Sequence, residues 1–245
     1  MNIFISGGAK NGKSYYAQKR AKELAEETGL PLYYIATMVP SDDEDRERIK
    51  RHLRERDGWG FITIEKPMGL CEIFDEDYLA RTDGNSICES GNSKVVGADK
   101  SGVFLVDSVT AILANSMFDA NDDYAFNENA AKDVAGDLTR FALTAKNAVF
   151  VSDFIYNDPA SSMHHNLYNT AHAALASSSH VSMHNMQYTN YADHHLSYLE
   201  PAAGSRDYTE EYRRGLAYVD RSLAKICDEV IEISAGIPTF HKSSK

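Results

Sequence analysis

Ile3-Phe4-Ile5-Ser6-Gly7-Gly8-Ala9-Lys10-Asn11-Gly12-Lys13-Ser14 stands near the start of the chain and decides how the rest is read. Three apolar residues run into a pair of glycines, and a segment of helical periodicity follows. Residues 7–14 fit G-x-x-x-x-G-K-[ST], the phosphate-binding P-loop, in the strand–loop–helix setting that the pattern requires. Each residue type has a physical reason. The glycines let backbone N–H groups turn inward around phosphate oxygens. Lys13 is a point charge for the outer phosphates, and Ser14 is a hydroxyl for Mg2+. The helix behind the loop directs its positive end at the same anion. Gly7, Gly8, Ala9, Lys10, Asn11, Gly12, Lys13 and Ser14 are therefore the candidate nucleotide-binding residues.

Working outward, residues 2–6 read as a buried strand. Residues 13–28 read as a helix, with Ala17, Ala21, Leu24 and Ala25 at helical spacing and Gly29-Leu30-Pro31 as its stop. Leu32–Ala36 is the next strand, and a strand–helix–strand unit of this length implies a parallel pair. Ser41 caps a further helix whose acidic start, from Asp42, suits the helix dipole. Glu44–Arg48 and Glu47–Arg51 pair on its outer surface, while Ile49, His52, Leu53 and Arg56 share one face. A strand over 60–65, a short helix over 68–80 and a surface loop over 82–101 follow. Strands at Val103–Asp107 and Ala148–Ser152 enclose helices over 109–118 and about 127–146. A helix over 207–226 and a last strand, Glu229–Ile233, close the chain. Strands alternating with helices predict an α/β fold of P-loop NTPase type, a doubly wound and mainly parallel sheet with helices on both faces.

The 245 residues suit a single nucleotide-binding domain over 1–245. Residues 157–204 break the rhythm. They are rich in Ser, Asn, His and Tyr and hold seven of the nine histidines (His164, His165, His172, His180, His184, His194 and His195), so they read as an insertion. The net charge of −11 argues against nucleic acid or an anionic membrane surface as partner. Cys71, Cys88 and Cys227 are scattered, which fits a reducing, cytoplasmic compartment. No apolar run approaches the ~20 residues of a membrane span, and the amino terminus has no leader pattern.

Three features bear on chemistry. Asp107 ends an apolar strand, where a carboxylate would support Mg2+ alongside Ser14; an acid at that place also suits a cap on the following helix. His52 reads either as a partly buried histidine or as a catalyst, with Arg48, Arg51, Arg54 and Arg56 around it as a solvated surface or a phosphate clamp. His180 and His184 stand one helical turn apart, as metal ligands or as a polar surface.

The chain resembles the bifunctional adenosylcobinamide kinase / adenosylcobinamide-phosphate guanylyltransferase family of cobalamin biosynthesis. Ser6–Ser14 is similar to the family's T-G-G-A-R-S-G-K-S, and Tyr34-Ile35-Ala36-Thr37 to its Y-I-A-T. Asp42-Asp43-Glu44 with Arg48-Ile49-Lys50-Arg51-His52 and Arg56 resembles D-D-E-M plus R-I-x-x-H-x-x-x-R. Asp107-Ser108-Val109-Thr110 with Asn115 resembles D-C-L-T with a later N, and Asp228-Glu229-Val230 and Ser234–Pro238 its closing segments. The resemblance implies that His52 attacks the α-phosphate of GTP and carries the guanylyl group to a corrinoid phosphate. It implies that Thr37, Arg56 and Asp107 join the nucleotide site, that Mg2+ accompanies GTP or ATP, and that the protein is a homotrimer. The chain departs from the family after residue 152, where N-E-V-G is replaced by Asp153-Phe154-Ile155-Tyr156. Two other readings stay open: a P-loop kinase or NTPase of the same fold with a different acceptor, and a non-catalytic nucleotide- or metal-responsive binding module.

Overall fold

The structure, a computed structural model, describes residues 1–40, 43–75, 98–118, 126–153 and 208–243; for Glu44, Asp45, Arg48, His52 and Glu55 it describes the backbone. The elements in chain order are β1 (Asn2–Gly7), α1 (Lys13–Thr28), β2 (Leu32–Ala36), α2 (Asp43–Arg56), β3 (Ile62–Glu65), a 3-10 helix (Leu70–Phe74), β4 (Val103–Asp107), α3 (Val109–Met117), α4 (Ala130–Ala145), β5 (Asn147–Asp153), α5 (Tyr208–Ile226), β6 (Glu229–Ser234) and β7 (Ile237–Lys242). The strands form one sheet in the order β3-β2-β4-β5-β1-β6-β7. Every pairing is parallel except β6 with β7. This is the doubly wound, mainly parallel α/β sheet that the alternation of elements predicts.

Both faces of the sheet are covered, which is why its central strands read as unbroken apolar runs. Side chains alternate between the two faces with period two. Ile3, Ile5, Val103, Leu105, Val149 and Val151 pack with Ala17, Ala21 and Leu24 of α1. Phe4, Phe104, Val106 and Phe150 pack on the other side with Leu113 of α3, Phe141 of α4 and Leu216 of α5. Phe104 and Phe141 meet edge to face, with ring centroids 5.5 Å apart.

The structure departs from the sequence reading in three places. Glu229–Ser234 is not the last strand, because the chain turns at Ala235 (φ 50°) and Gly236 (φ 78°) and returns antiparallel as β7. Two residues at positive φ make the tight turn whose twist matches a hairpin, and Pro238 is tolerated because β7 is an edge. Second, the helix over 68–80 is a 3-10 helix of five residues among the described ones. Third, among the described side chains of α2 no apolar one is buried. Ile49 is half-buried and Leu53 exposed, while Arg56 is buried. The Ser41 cap, the loop over 82–97, residues 76–80 and the histidine-rich block 157–204 lie outside the described residues.

Candidate functional site

The phosphate loop grows out of the centre of the sheet. Gly7, the last residue of β1, is in register with Asp153 on β5 and Ile233 on β6. A Cβ at Gly7 would lie 2.6 Å from the Ile233 carbonyl oxygen, so the strand spacing here excludes any side chain. The chain then turns through Lys10 (φ 59°) and Gly12 (φ 81°), and the Asn11 N–H donates to the Gly8 carbonyl at 3.4 Å. Gly12 is the N-cap of α1 and brings no capping side chain, which leaves the first-turn N–H groups of α1 for an anion. Lys13 folds back into the loop. Its ammonium lies 3.4 Å from the Gly8 carbonyl and forms an ion pair with the Asp153 carboxylate. Ser14 is half-buried at the same helix start, while Ala9 and Lys10 are exposed.

A polar network joins the strand tips beside the loop. The Thr110 hydroxyl donates to Asp153 Oδ2 at 3.0 Å and lies 2.6 Å from the Ser108 hydroxyl. Ser108 caps α3 by accepting the Ala111 N–H at 3.3 Å. The cap is therefore Ser108, and Asp107 is turned elsewhere: its Oδ2 accepts the Tyr34 hydroxyl at 3.1 Å. Thr37 is fully buried, and its hydroxyl accepts the Ser108 N–H at 2.7 Å and donates to the Ser108 carbonyl at 3.0 Å. Asn115 Nδ2 donates to the carbonyls of Thr37 (2.9 Å) and Pro67 (3.2 Å). Thr37, Ser108 and Asn115 thus lock the ends of β2 and β4 together. The Tyr212 hydroxyl donates to the Thr110 carbonyl at 2.9 Å from α5, and burial, with Asp153 and Asp220 nearby, drives its pKa far above the ordinary tyrosine range.

The carboxyl end of α2 is docked at the same edge. The Arg56 guanidinium lies over the Tyr34 ring, 3.4 Å from its centroid. Burial and the Asp107 carboxylate raise the Tyr34 pKa well above 10.0, against the opposing pull of Arg56, so its hydroxyl stays a donor to Asp107. Just past α2, Trp59 meets Tyr15 edge-on at 5.8 Å, and the Lys22 ammonium lies 5.3 Å from the Trp59 ring. Tyr15 follows Ser14 directly, so the turn after α2 touches the start of α1 next to the loop. His52 stands in α2 one helical turn before Arg56.

Among the residues singled out from sequence, the structure places Gly7–Ser14 in one loop and Asp107, Thr37 and Arg56 in a connected corner beside it. Register separates the two carboxylates. Asp107 is level with Val151 of β5, and Val151 with Ile5 of β1. Asp153 lies two residues further, level with Gly7. It is Asp153 that meets Lys13. The sequence reading passed over Asp153, Thr110 and Tyr34 as site residues. A signal for Asp153 was present, because Ala148–Asp153 repeats the pattern of Val103–Asp107, an apolar strand closed by an acid. Among the described residues, no three His, Cys, Asp or Glu side chains form a metal cluster. Ser14 and Asp107 offer a hydroxyl and a carboxylate, hard oxygen donors of the type that Mg2+ takes while keeping several waters.

Comparison with known proteins adds chemistry to this geometry. The family model described as cobinamide kinase / cobinamide phosphate guanyltransferase matches residues 3–85. The bifunctional adenosylcobalamin biosynthesis protein CobP of Pseudomonas aeruginosa is 41% identical over 70 residues, 29% of this chain and 38% of that protein. The match thus spans little more than a third of that relative's length. Among solved structures, the flagellar accessory protein FlaH of Methanocaldococcus jannaschii is 11% identical over 99% of this chain and 78% of its own, with a TM-score of 0.41. The ATPase domain of G40P is 10% identical over 100% and 77%, with a TM-score of 0.44. No described helix is long and apolar enough to cross a membrane.

Proposed function

We propose that this chain, whose residues 3–85 match the family model described as cobinamide kinase / cobinamide phosphate guanyltransferase, is a nucleotide-dependent transferase acting on a corrinoid in cobalamin biosynthesis. The observation that carries the proposal is a coincidence of family match and geometry. The matched segment contains both the phosphate loop and α2, and α2 is docked beside that loop through Arg56 on Tyr34 and Trp59 on Tyr15. Strands on either side of residues 157–204 share one sheet, which supports a single nucleotide-binding domain carrying that block as an insertion.

In this reading the loop N–H groups and Lys13 hold the outer phosphates of GTP or ATP. Ser14 and Asp107 would hold Mg2+, which when bound supplies charge neutralisation at the phosphates. An imidazole nitrogen of His52 attacks the α-phosphorus of GTP. A P–N bond forms, the bond from the α-phosphorus to the bridging oxygen breaks, and pyrophosphate leaves. An oxygen of the corrinoid phosphate then attacks the same phosphorus and the P–N bond breaks, returning the imidazole. Two in-line displacements replace one encounter between two anions. The kinase half moves a γ-phosphoryl group from ATP or GTP to the corrinoid hydroxyl.

The test is incubation with GTP labelled at the α-phosphate, in the presence of Mg2+. An acid-labile protein adduct is expected, absent in His52→Ala. A wild-type protein that forms no adduct, or an adduct that persists in His52→Ala, removes the guanylylated histidine. A second reading is favoured by one observation: the family match ends at residue 85, short of Asp107 and Asp153. It keeps the nucleotide end and changes the acceptor. Nucleotide turnover that ignores both corrinoid and His52→Ala would select it.

A further inference from the structure

Asp153 is a carboxylate at the mouth of the loop that the transfer scheme leaves without a part. It closes β5, the strand between the phosphate-loop strand β1 and the Asp107 strand β4. One of its oxygens pairs with the Lys13 ammonium and the other accepts the Thr110 hydroxyl at 3.0 Å. The Lys13 side chain is 9% exposed and that of Asp153 32%. The ammonium is therefore shut away from water and has the Asp153 carboxylate as its charged partner. An anionic oxygen is also what a phosphate would offer it. A polyphosphate entering the loop has to take Lys13 from Asp153, and it also meets the negative charge of Asp153 at the level of Gly7. Asp153 keeps the Thr110 hydroxyl and its exposed side through that exchange, so it survives the loss of Lys13 better than Lys13 would survive the loss of Asp153.

We propose that Asp153 is a positioning residue for Lys13. It holds the ammonium in the empty loop, hands it over to the incoming phosphates, and thereby disfavours metal-free polyphosphate relative to the less negative Mg2+ complex. The inference rests on the nucleotide-binding part of the reading above and not on the identity of the acceptor.

Titration calorimetry with inorganic tripolyphosphate and with GTP, in EDTA and in Mg2+, tests it on the full chain. Asp153→Asn is expected to tighten metal-free binding by about tenfold, and Mg2+-complexed binding by less. In a Lys13→Ala background the same substitution is expected to give a smaller gain, the part that comes from removing the negative charge of Asp153 alone. A residue that merely braced the loop would move affinity the other way when replaced. Unchanged or weaker binding by Asp153→Asn, or an equal gain in the Lys13→Ala background, overturns the proposal. A wild-type protein that binds neither ligand overturns the nucleotide reading along with it. A wild-type protein that binds, with Asp153→Asn no tighter, overturns this inference alone. Should Asp153→Asn not fold, spectra of wild-type protein labelled with 15N-lysine and 13C-aspartate answer the same question. Tripolyphosphate is expected to shift the Lys13 ammonium and the Asp153 carboxyl signals together. A carboxyl signal that stays in place overturns the exchange.

Discussion

Replacing Arg56 by alanine is expected to undock α2 without unfolding the sheet. Of the α2 side chains described, Arg56 is the buried one, at 7% exposure, and its guanidinium is 3.4 Å from the Tyr34 ring centroid. A desolvated cation over an aromatic face contributes about 2 kcal/mol. The other described α2 side chains are half-buried or exposed, so little replaces that contact. Local opening weakened by about 2 kcal/mol corresponds to roughly thirtyfold faster exchange of the α2 amides. Hydrogen–deuterium exchange read by mass spectrometry resolves a peptide covering 43–58 from one covering α1. The expected result is acceleration in the first and none in the second, with the proposed adduct at His52 falling while the loop still binds nucleotide. Arg56→Lys keeps the charge but not the planar stack, and falls between. Unchanged exchange in α2, or equal acceleration in α1, would refute the view that the Arg56–Tyr34 contact is what docks this helix.

Gly7→Ala would place a Cβ 2.6 Å from the Ile233 carbonyl oxygen, and because that atom is backbone the β1–β6 spacing must give. A lower melting temperature and a loss of polyphosphate binding are both expected, checked by thermal unfolding and calorimetry; normal values for both would show that the strands accommodate the methyl group. Burial pushes the Cys71 thiol up to about 11, helped by Asp137, and the Cys227 thiol up to about 12, helped by Asp228. The folded state therefore holds these protons more tightly than the unfolded chain, whose thiols ionise near 9.0. Their contribution to stability is complete below pH 9 and is lost as the pH rises through about 11 and about 12. Alkylation at pH 8, mapped by peptide, is expected to be about a hundredfold slower at Cys71 and about a thousandfold slower at Cys227 than in denatured protein. Equal rates would show that neither thiol is held neutral.

Most of the sheet is legible in the sequence because β1, β2, β4 and β5 are short apolar runs, mostly buried on both faces. β6 is legible by a different sign, an alternation of buried and half-buried residues, and α1 is bounded at both ends by glycines at positive φ. β7 is not legible in the same way. Pro238 and the exposed Ile237 and Phe240 belong to an edge strand, which carries no alternating buried face. The helical spacing of Ile49, His52, Leu53 and Arg56 is real, but spacing places residues on a face without saying what that face meets. Here Arg56 meets the Tyr34 ring and holds it with a cation.

The two acids that close apolar strands show where sequence reasoning about the site stops. Val103–Asp107 and Asn147–Asp153 end alike, and no property of either stretch ranks one above the other as a partner for the loop. Register ranks them. Asp107 is level with Ile5, two residues short of Gly7, and it lies under Tyr34 and the buried Arg56. Asp153 is level with Gly7 and meets the Lys13 ammonium. Two residues along a strand are about 6.6 Å, more than the reach of any hydrogen bond, so the difference decides which carboxylate sees the loop lysine. That offset arises from how β4 aligns on β5 and β5 on β1, pairings between stretches some forty and a hundred and fifty residues apart. A carboxylate two residues deeper, bridged to α2 through Tyr34, is placed to hold the helix that bears His52. A carboxylate at the rim is placed to contend with the phosphates themselves.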